Sequence, residues 1–220
     1  MKVDKYKEID YVIRKPKEYS SKEKYPLIIY LHGAGGRGRD VEMVYTHPFF
    51  SDTEEWLSGA ICVVPQCYTN SWFCMFEQLQ DFIKYAISWK NVDATRVYLV
   101  GASMGGYATW QMAMSHPEWF AGIIPICGGG MYWNTARLVN MGVWAFHGAL
   151  DQTVYPAESE KMVEGIKKNG GTVRFTVYED CAHNAWTPTF QNKEVWSWLL
   201  SCRLHYEYTK NIFDNVEQFG

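Results

Sequence analysis

VYLVGASMGGYATW, residues 97–110, is the stretch on which the reading of this chain turns. Val97 to Val100 form an apolar run suited to a strand. Gly101-Ala102-Ser103-Met104-Gly105 breaks it, and a helix-like pattern follows through Ser115. A serine held between glycines at a strand-to-helix turn needs a strained backbone to aim its hydroxyl away from the sheet. The residues two before and two after must be small, or they would strike the neighbouring strand and helix. Gly101 and Gly105 meet that need. The string G-x-S-x-G alone is weak, because glycine and serine are ordinary turn residues. With an apolar strand before it and a helix after it, the serine reads as a nucleophile.

Outward from this turn, apolar runs recur at Ile9–Ile13, Leu27–Leu31, Ile61–Val64, Ile123–Ile126, Val143–Phe146 and Val173–Tyr178. Helix-period segments lie at Phe76–Trp89, Gly105–Ser115, Ala157–Lys168 and Thr189–Leu200. Continuous apolar strands alternating with helices predict an α/β fold, with a mostly parallel sheet covered on both faces. The charged, alternating Ile9–Ile13 run reads as an antiparallel edge strand. At 220 residues the chain reads as one domain, residues 1–220, with Leu204 to Gly220 as a peripheral tail.

Bulk properties exclude several classes of function. Hydrophobic residues make up 47% of the chain and charged residues 20%, so it is not a disordered sequence. The net charge is −3 and the basic residues are scattered, which argues against a nucleic-acid partner. No apolar run reaches the roughly 18 residues of a membrane span. The first fifteen residues hold no apolar signal segment, so a cytoplasmic location is expected, or a secreted one if a leader has been removed. Six cysteines, at 62, 67, 74, 127, 181 and 202, show no C-x-x-C pair or zinc spacing and are expected as free thiols.

In an open parallel sheet, ligands bind beyond the carboxyl ends of the strands. The residues there include His32-Gly33-Ala34-Gly35-Gly36, His147-Gly148-Ala149-Leu150-Asp151 and Glu179-Asp180-Cys181-Ala182-His183. A serine hydroxyl needs a base, and His183, in a loop after the last strand, is the candidate. His32 and His147 read as braces of their loops, and His47, His116 and His205 as helix-end or surface residues. Asp151 is the candidate acid that orients the imidazole, giving the order Ser103, Asp151, His183. Asp180 is the rival, but only three residues from His183 it would have to fold back sharply. The backbone amides of Met104 and Ala34 are expected to receive a developing oxyanion. A phosphate-binding reading of the glycine-rich loop fails, since G-x-x-x-x-G-K-[ST] is absent. No metal or cofactor is required.

These residues together resemble the α/β-hydrolase superfamily. Within it the chain is similar to small esterases of the phospholipase/carboxylesterase and polyhydroxybutyrate-depolymerase-like group, which includes feruloyl esterases. The resemblance is carried by LHGAGGRGRD (31–40), VPQCYTNSW (64–72), RVYLVGASMGGYATW (96–110), PICGGG (125–130), HGALDQTVYP (147–156) and CAHNAW (181–186). It implies the α/β-hydrolase fold, a Ser103–Asp151–His183 triad and Trp72 as a pocket wall. Gly36-Arg37 departs from the pattern, where relatives often carry an acidic residue, and so does Tyr68, where a proline is common. Cys127 to Val143 leaves little room for a lid. An open cleft walled by Trp72, Trp133 and Trp186 would suit short acyl, aryl or carbohydrate-linked esters, although each tryptophan can equally be loop packing. A serine peptidase of the prolyl-oligopeptidase type and a non-enzymatic binding module are the alternatives.

Overall fold

The computed structural model describes residues 1–204, and the expected tail beyond Leu204, His205 included, lies outside them. Eight strands form one sheet in the order β1-β2-β4-β3-β5-β6-β7-β8. They are β1 (Lys2–Tyr6), β2 (Ile9–Arg14), β3 (Tyr25–Leu31), β4 (Ile61–Pro65), β5 (Val92–Ala102), β6 (Gly122–Ile126), β7 (Gly142–Gly148) and β8 (Arg174–Tyr178). β2 runs antiparallel to both neighbours, and all pairs from β4 to β8 are parallel. This is an α/β-hydrolase sheet.

The sequence predicts β2 at the edge, and here the structure differs. β1 pairs with it over five residues, so β1 is the edge and β2 is internal. KVDKY carries too few apolar residues to read as a strand. Its charged residues sit on an exposed ribbon, where pairing rather than burial defines the element. A turn at Lys7, with φ 51°, joins the two strands.

The helices are α1 (Glu42–Tyr45), α2 (Pro48–Asp52), α3 (Phe76–Ile87), α4 (Met104–Ser115), α5 (Ala157–Lys168), α6 (Trp186–Phe190) and α7 (Lys193–Ser201). The one helix expected over Thr189–Leu200 is two, because Asn192 caps a fresh start by accepting from the Glu194 amide. α1 and α2 are too short for their periodicity to show in sequence.

Alternation along the strands sorts the core into two layers. Leu27, Ile29 and Leu31 of β3, with Val97 and Leu99 of β5, pack under Leu79, Phe82 and Ile83 of α3 and Met112 of α4. Ile28 and Tyr30, with Tyr98 and Val100, face Phe49 of α2, Phe190 of α6 and Trp196 of α7. Both faces being covered is why these strands read as unbroken apolar runs. The β6–β7 connection holds only the short turn Tyr132–Leu138, packed against α5 through Thr135 and Gly165, with no inserted lid.

Registered pairing brings the strand ends together. Leu31 lies opposite Gly101, Gly101 opposite Pro125, Ile126 opposite Phe146, and Gly148 opposite Tyr178. The loops that leave these positions share one rim.

Candidate active site

Ser103 stands at the junction of β5 and α4 with φ 55° and ψ −118°, a conformation costly for a residue with a Cβ. The surroundings enforce it. The Ser103 amide donates to Ile126 O at 2.9 Å, and Tyr107 N donates to Ser103 O at 3.0 Å. A Cβ on Gly105 would stand 1.9 Å from the Leu31 carbonyl oxygen, and one on Gly101 would stand 2.3 Å from Gly105 O. The two glycines let helix, elbow and strand β3 approach to backbone contact.

His183 reaches this serine from the loop after β8. Its Nε2 lies 2.9 Å from Ser103 Oγ, and its Nδ1 lies 2.7 Å from Asp151 Oδ2. Asp151, buried after β7, accepts from the Thr153 and Val154 amides through Oδ1 at 2.9 and 3.0 Å. Burial alone would raise its carboxyl, but hydrogen bonds from His183, Val154 and Thr153 hold it below the usual carboxylate value. An ionised Asp151 accepts from Nδ1–H, which leaves Nε2 free to accept a proton from the serine. Asp180 is exposed in the turn after β8, and the imidazole turns to Asp151.

Ala34 and Met104 each begin a helical turn beside Ser103, where amides lack intrahelical acceptors. A Cβ on Gly33 would lie 3.5 Å from that of Ser103, so the Ala34 loop passes close to the hydroxyl. The loop is tied down from several sides. His32 is buried, its Nε2 accepts from Cys67 N at 3.0 Å, and its Nδ1 faces Gly33 O at 2.7 Å. Burial lowers this imidazole to about 4, so it is neutral and works as a fixed brace. Gln66 donates to the carbonyls of Gly36 and Asp40 at 3.2 and 2.8 Å. Arg37, the departure noted in the sequence, donates to Ala34 O at 2.9 Å and to Asn70 O at 3.0 Å. The bracing roles of Gln66 and Arg37 escaped the sequence reading, because backbone carbonyls as partners leave no mark in a pattern of residues.

His147 is also buried. Its Nε2 lies 2.9 Å from Val154 O and 3.3 Å from Asp151 Oδ2, and its Nδ1 lies 2.7 Å from Ser159 Oγ. It thereby fixes the loop that carries the acid to α5.

A cleft of about 470 Å³ opens at Ser103 and His183. Tyr30, the glycine-rich loop, Met43, His47, Thr153 and Trp186 line it. Trp186 meets the His183 ring edge-on at 5.5 Å. The other two tryptophans expected as pocket walls are elsewhere. Trp72 is fully buried, and its indole donates to His32 O at 3.0 Å, because the turn Trp72–Met75 folds it beneath the loop it supports. Trp133 is 68% exposed on the Tyr132–Leu138 turn, outside the lining of the cleft. In their place Met43 and His47, brought in by the short α1–α2 segment, help to wall it. His47, expected as a helix-end residue, does cap α2, accepting from Phe49 N at 3.1 Å. All six cysteines are free.

Comparisons with known proteins give the family and the fold. The dienelactone hydrolase family matches residues 67–195, more than half of the chain. The curated relative NocK of Nocardia uniformis subsp. tsuyamanensis is 26% identical over an alignment of 119 residues that covers 48% of this chain and 33% of that protein. Among solved structures, a thermostable esterase is 31% identical with a TM-score of 0.79, over 89% of this chain and 59% of its own. A ferulic acid esterase, 15% identical with a TM-score of 0.68, shares the fold over 87% of this chain and 92% of its own. The chain thus spans about a third of that curated relative and about three fifths of the thermostable esterase. With its family match running from the Cys67 loop past the elbow, the acid and the histidine, this chain belongs to the dienelactone hydrolase family.

Proposed function

We propose that this protein is a serine esterase that works through an acyl-serine intermediate. The observation that carries the reading is the continuous contact Asp151–His183–Ser103, at 2.7 and 2.9 Å, at the mouth of a cleft. His183 Nε2 takes the Ser103 proton as Oγ attacks the ester carbonyl. The resulting oxyanion is held by the amides of Ala34 and Met104. The imidazolium, stabilised by Asp151, then protonates the departing alcohol. Water, activated by the same nitrogen, attacks the acyl-serine and releases the acid.

The lining of the cleft supports a substrate class. Tyr30, Met43 and Trp186 supply apolar and aromatic surface, with no Lys or Arg among the lining residues to hold an anionic head group. Its size suits a short acyl chain or an aryl acid of the feruloyl or acetyl kind. The esterase and ferulic acid esterase among the structural neighbours support this direction.

The test is labelling by a fluorophosphonate probe together with p-nitrophenyl esters of rising chain length and methyl ferulate. Labelling lost in Ser103→Ala, with turnover highest on short or aryl esters, is expected. A wild-type chain that neither labels nor hydrolyses any of them would end the esterase reading.

A further inference from the structure

Cys127 stands at this centre, and the hydrolytic cycle does not use it. It is the first residue after β6 and takes φ 40°, the left-handed region where a non-glycine residue is uncommon. Its amide donates to Phe146 O at 2.8 Å, which pins the backbone there. The side chain is fully buried, and its Sγ lies 3.3 Å from His183 O. One donor atom each from Cys127, Asp151 and His183 lie within 4.8 Å of one another. Cys127 and Asp151 are buried, while His183 opens onto the cleft.

We propose that Cys127, Asp151 and His183 form a binding site for a soft divalent cation, Zn²⁺ or Cd²⁺, whose occupancy switches the Ser103 centre off. The donor set is one sulfur, one imidazole nitrogen and one carboxylate oxygen. Three protein ligands with a fourth position left to water is a common zinc arrangement. Thiolate and imidazole select Zn²⁺ or Cd²⁺ over Mg²⁺ or Ca²⁺, which prefer oxygen. Zinc would draw the three ligand atoms together to bond lengths of about 2.0–2.3 Å.

The chemistry is proton exchange without redox. The Cys127 S–H bond breaks and its proton leaves to solvent as the sulfur–metal bond forms. Nδ1, the His183 nitrogen 2.7 Å from Asp151, gives its lone pair to the metal, so the proton of the neutral ring moves to Nε2. Asp151 Oδ2 exchanges the Nδ1–H hydrogen bond for the cation. With Nε2 protonated, the ring can donate to Ser103 Oγ but can no longer accept from it, and the serine loses its base. One proton is released per metal bound.

Inhibition rests on the serine-esterase reading, whereas binding does not, and the experiment separates them. Zn²⁺ is titrated calorimetrically into the full chain and into Ser103→Ala, in two buffers of different ionisation enthalpy. Cd²⁺ is followed by its thiolate charge-transfer absorption. One site per chain, one proton released and a thiolate band are expected in both proteins, with ester hydrolysis by the wild type lost in proportion to occupancy. Cys127→Ser should weaken binding about 100-fold or more, and Cys181→Ala should leave it unchanged. Should Cys127→Ser fail to fold, the Cd²⁺–thiolate band and the proton count in Ser103→Ala, with and without Cys181, decide the same question. Equal affinity in Cys127→Ser and wild type, or binding without proton release and thiolate band, would overturn the site. A chain that binds through Cys127 but hydrolyses no ester keeps the site and removes the esterase reading.

Discussion

Oδ2 of Asp151 lies 2.7 Å from Nδ1 of His183, although the two residues are 32 positions apart and leave different strands. β7 and β8 pair in register up to Gly148 and Tyr178, and Leu150 N donates to Cys181 O at 2.9 Å. A Cβ on Gly148 would strike Ala182 O at 2.1 Å, so the two loops lie in backbone contact. The acid and the histidine meet because the sheet ends side by side.

This contact sets the first prediction. Asp151→Asn should lower kcat by about 10⁴-fold, because the amide favours the wrong tautomer. Ser103→Ala should cost as much or more, with the fold retained. Steady-state kinetics beside a circular-dichroism melt will check both. Variants within tenfold of wild type would refute the assigned roles.

Stability against pH follows from His32 and Asp151. His32 is held at about 4 by burial, against an ordinary value near 6.5. Between those values the unfolded chain binds the proton and the native chain does not, so stability falls as pH falls from about 6.5 to 4. The span corresponds to about 3 kcal/mol from this one group. Asp151 acts at lower pH: its carboxyl is depressed, so the stability it adds is present above its unfolded value, about 3.9, and is lost as pH falls through its native value. Urea melts between pH 7 and 4.5 should show the first slope. It should become shallower in His32→Gln, after allowance for that variant's lower starting stability, with His47, also lowered to about 4 chiefly by burial, carrying the remainder.

The glycines near the elbow divide by what surrounds them. Gly105→Ala would place a methyl 1.9 Å from backbone oxygen, which cannot yield without moving β3, so soluble folded protein should be largely lost. Gly35→Ala meets nothing within 4 Å and should change stability by no more than about 0.5 kcal/mol. Expression and thermal melts of the pair will tell them apart.

Trp72 and Trp186 should separate in kinetics. Trp72→Phe removes the bond to His32 O beneath the Ala34 loop, costing about 1–3 kcal/mol of stability. It should lower kcat with KM little changed. Trp186→Ala opens the cleft wall beside His183 and should raise KM for aryl esters more than for acetyl esters. A KM effect from Trp72→Phe alone would restore it as a pocket wall.

Much of the site was legible because chemistry demanded rare residue types in a fixed order. Ser103 needed glycines two residues away on either side, and Asp151 and His183 had to follow later strands. The strands themselves were legible from their apolar runs, since burial on both faces leaves no polar position. β1 was not, because an exposed ribbon carries no apolar signal. α1 and α2, and with them Met43 and His47 of the cleft, were missed for want of length.

Trp72 marks the boundary between the two kinds of knowledge. From sequence, a tryptophan in a rim loop is as much a wall as a prop. Only the fold turns its ring inward and gives its indole to His32 O, while Trp186 is left facing the cleft. The succession of strands and helices and the elbow were written in local spacing, because backbone sterics and hydrogen bonding act over a few residues, and the candidates Asp151 and His183 were read from their places after later strands. Which side chains line the cleft, which brace the Ala34 loop and which thiol lies near Asp151 were decided by tertiary structure, because those depend on contacts between segments far apart in the chain.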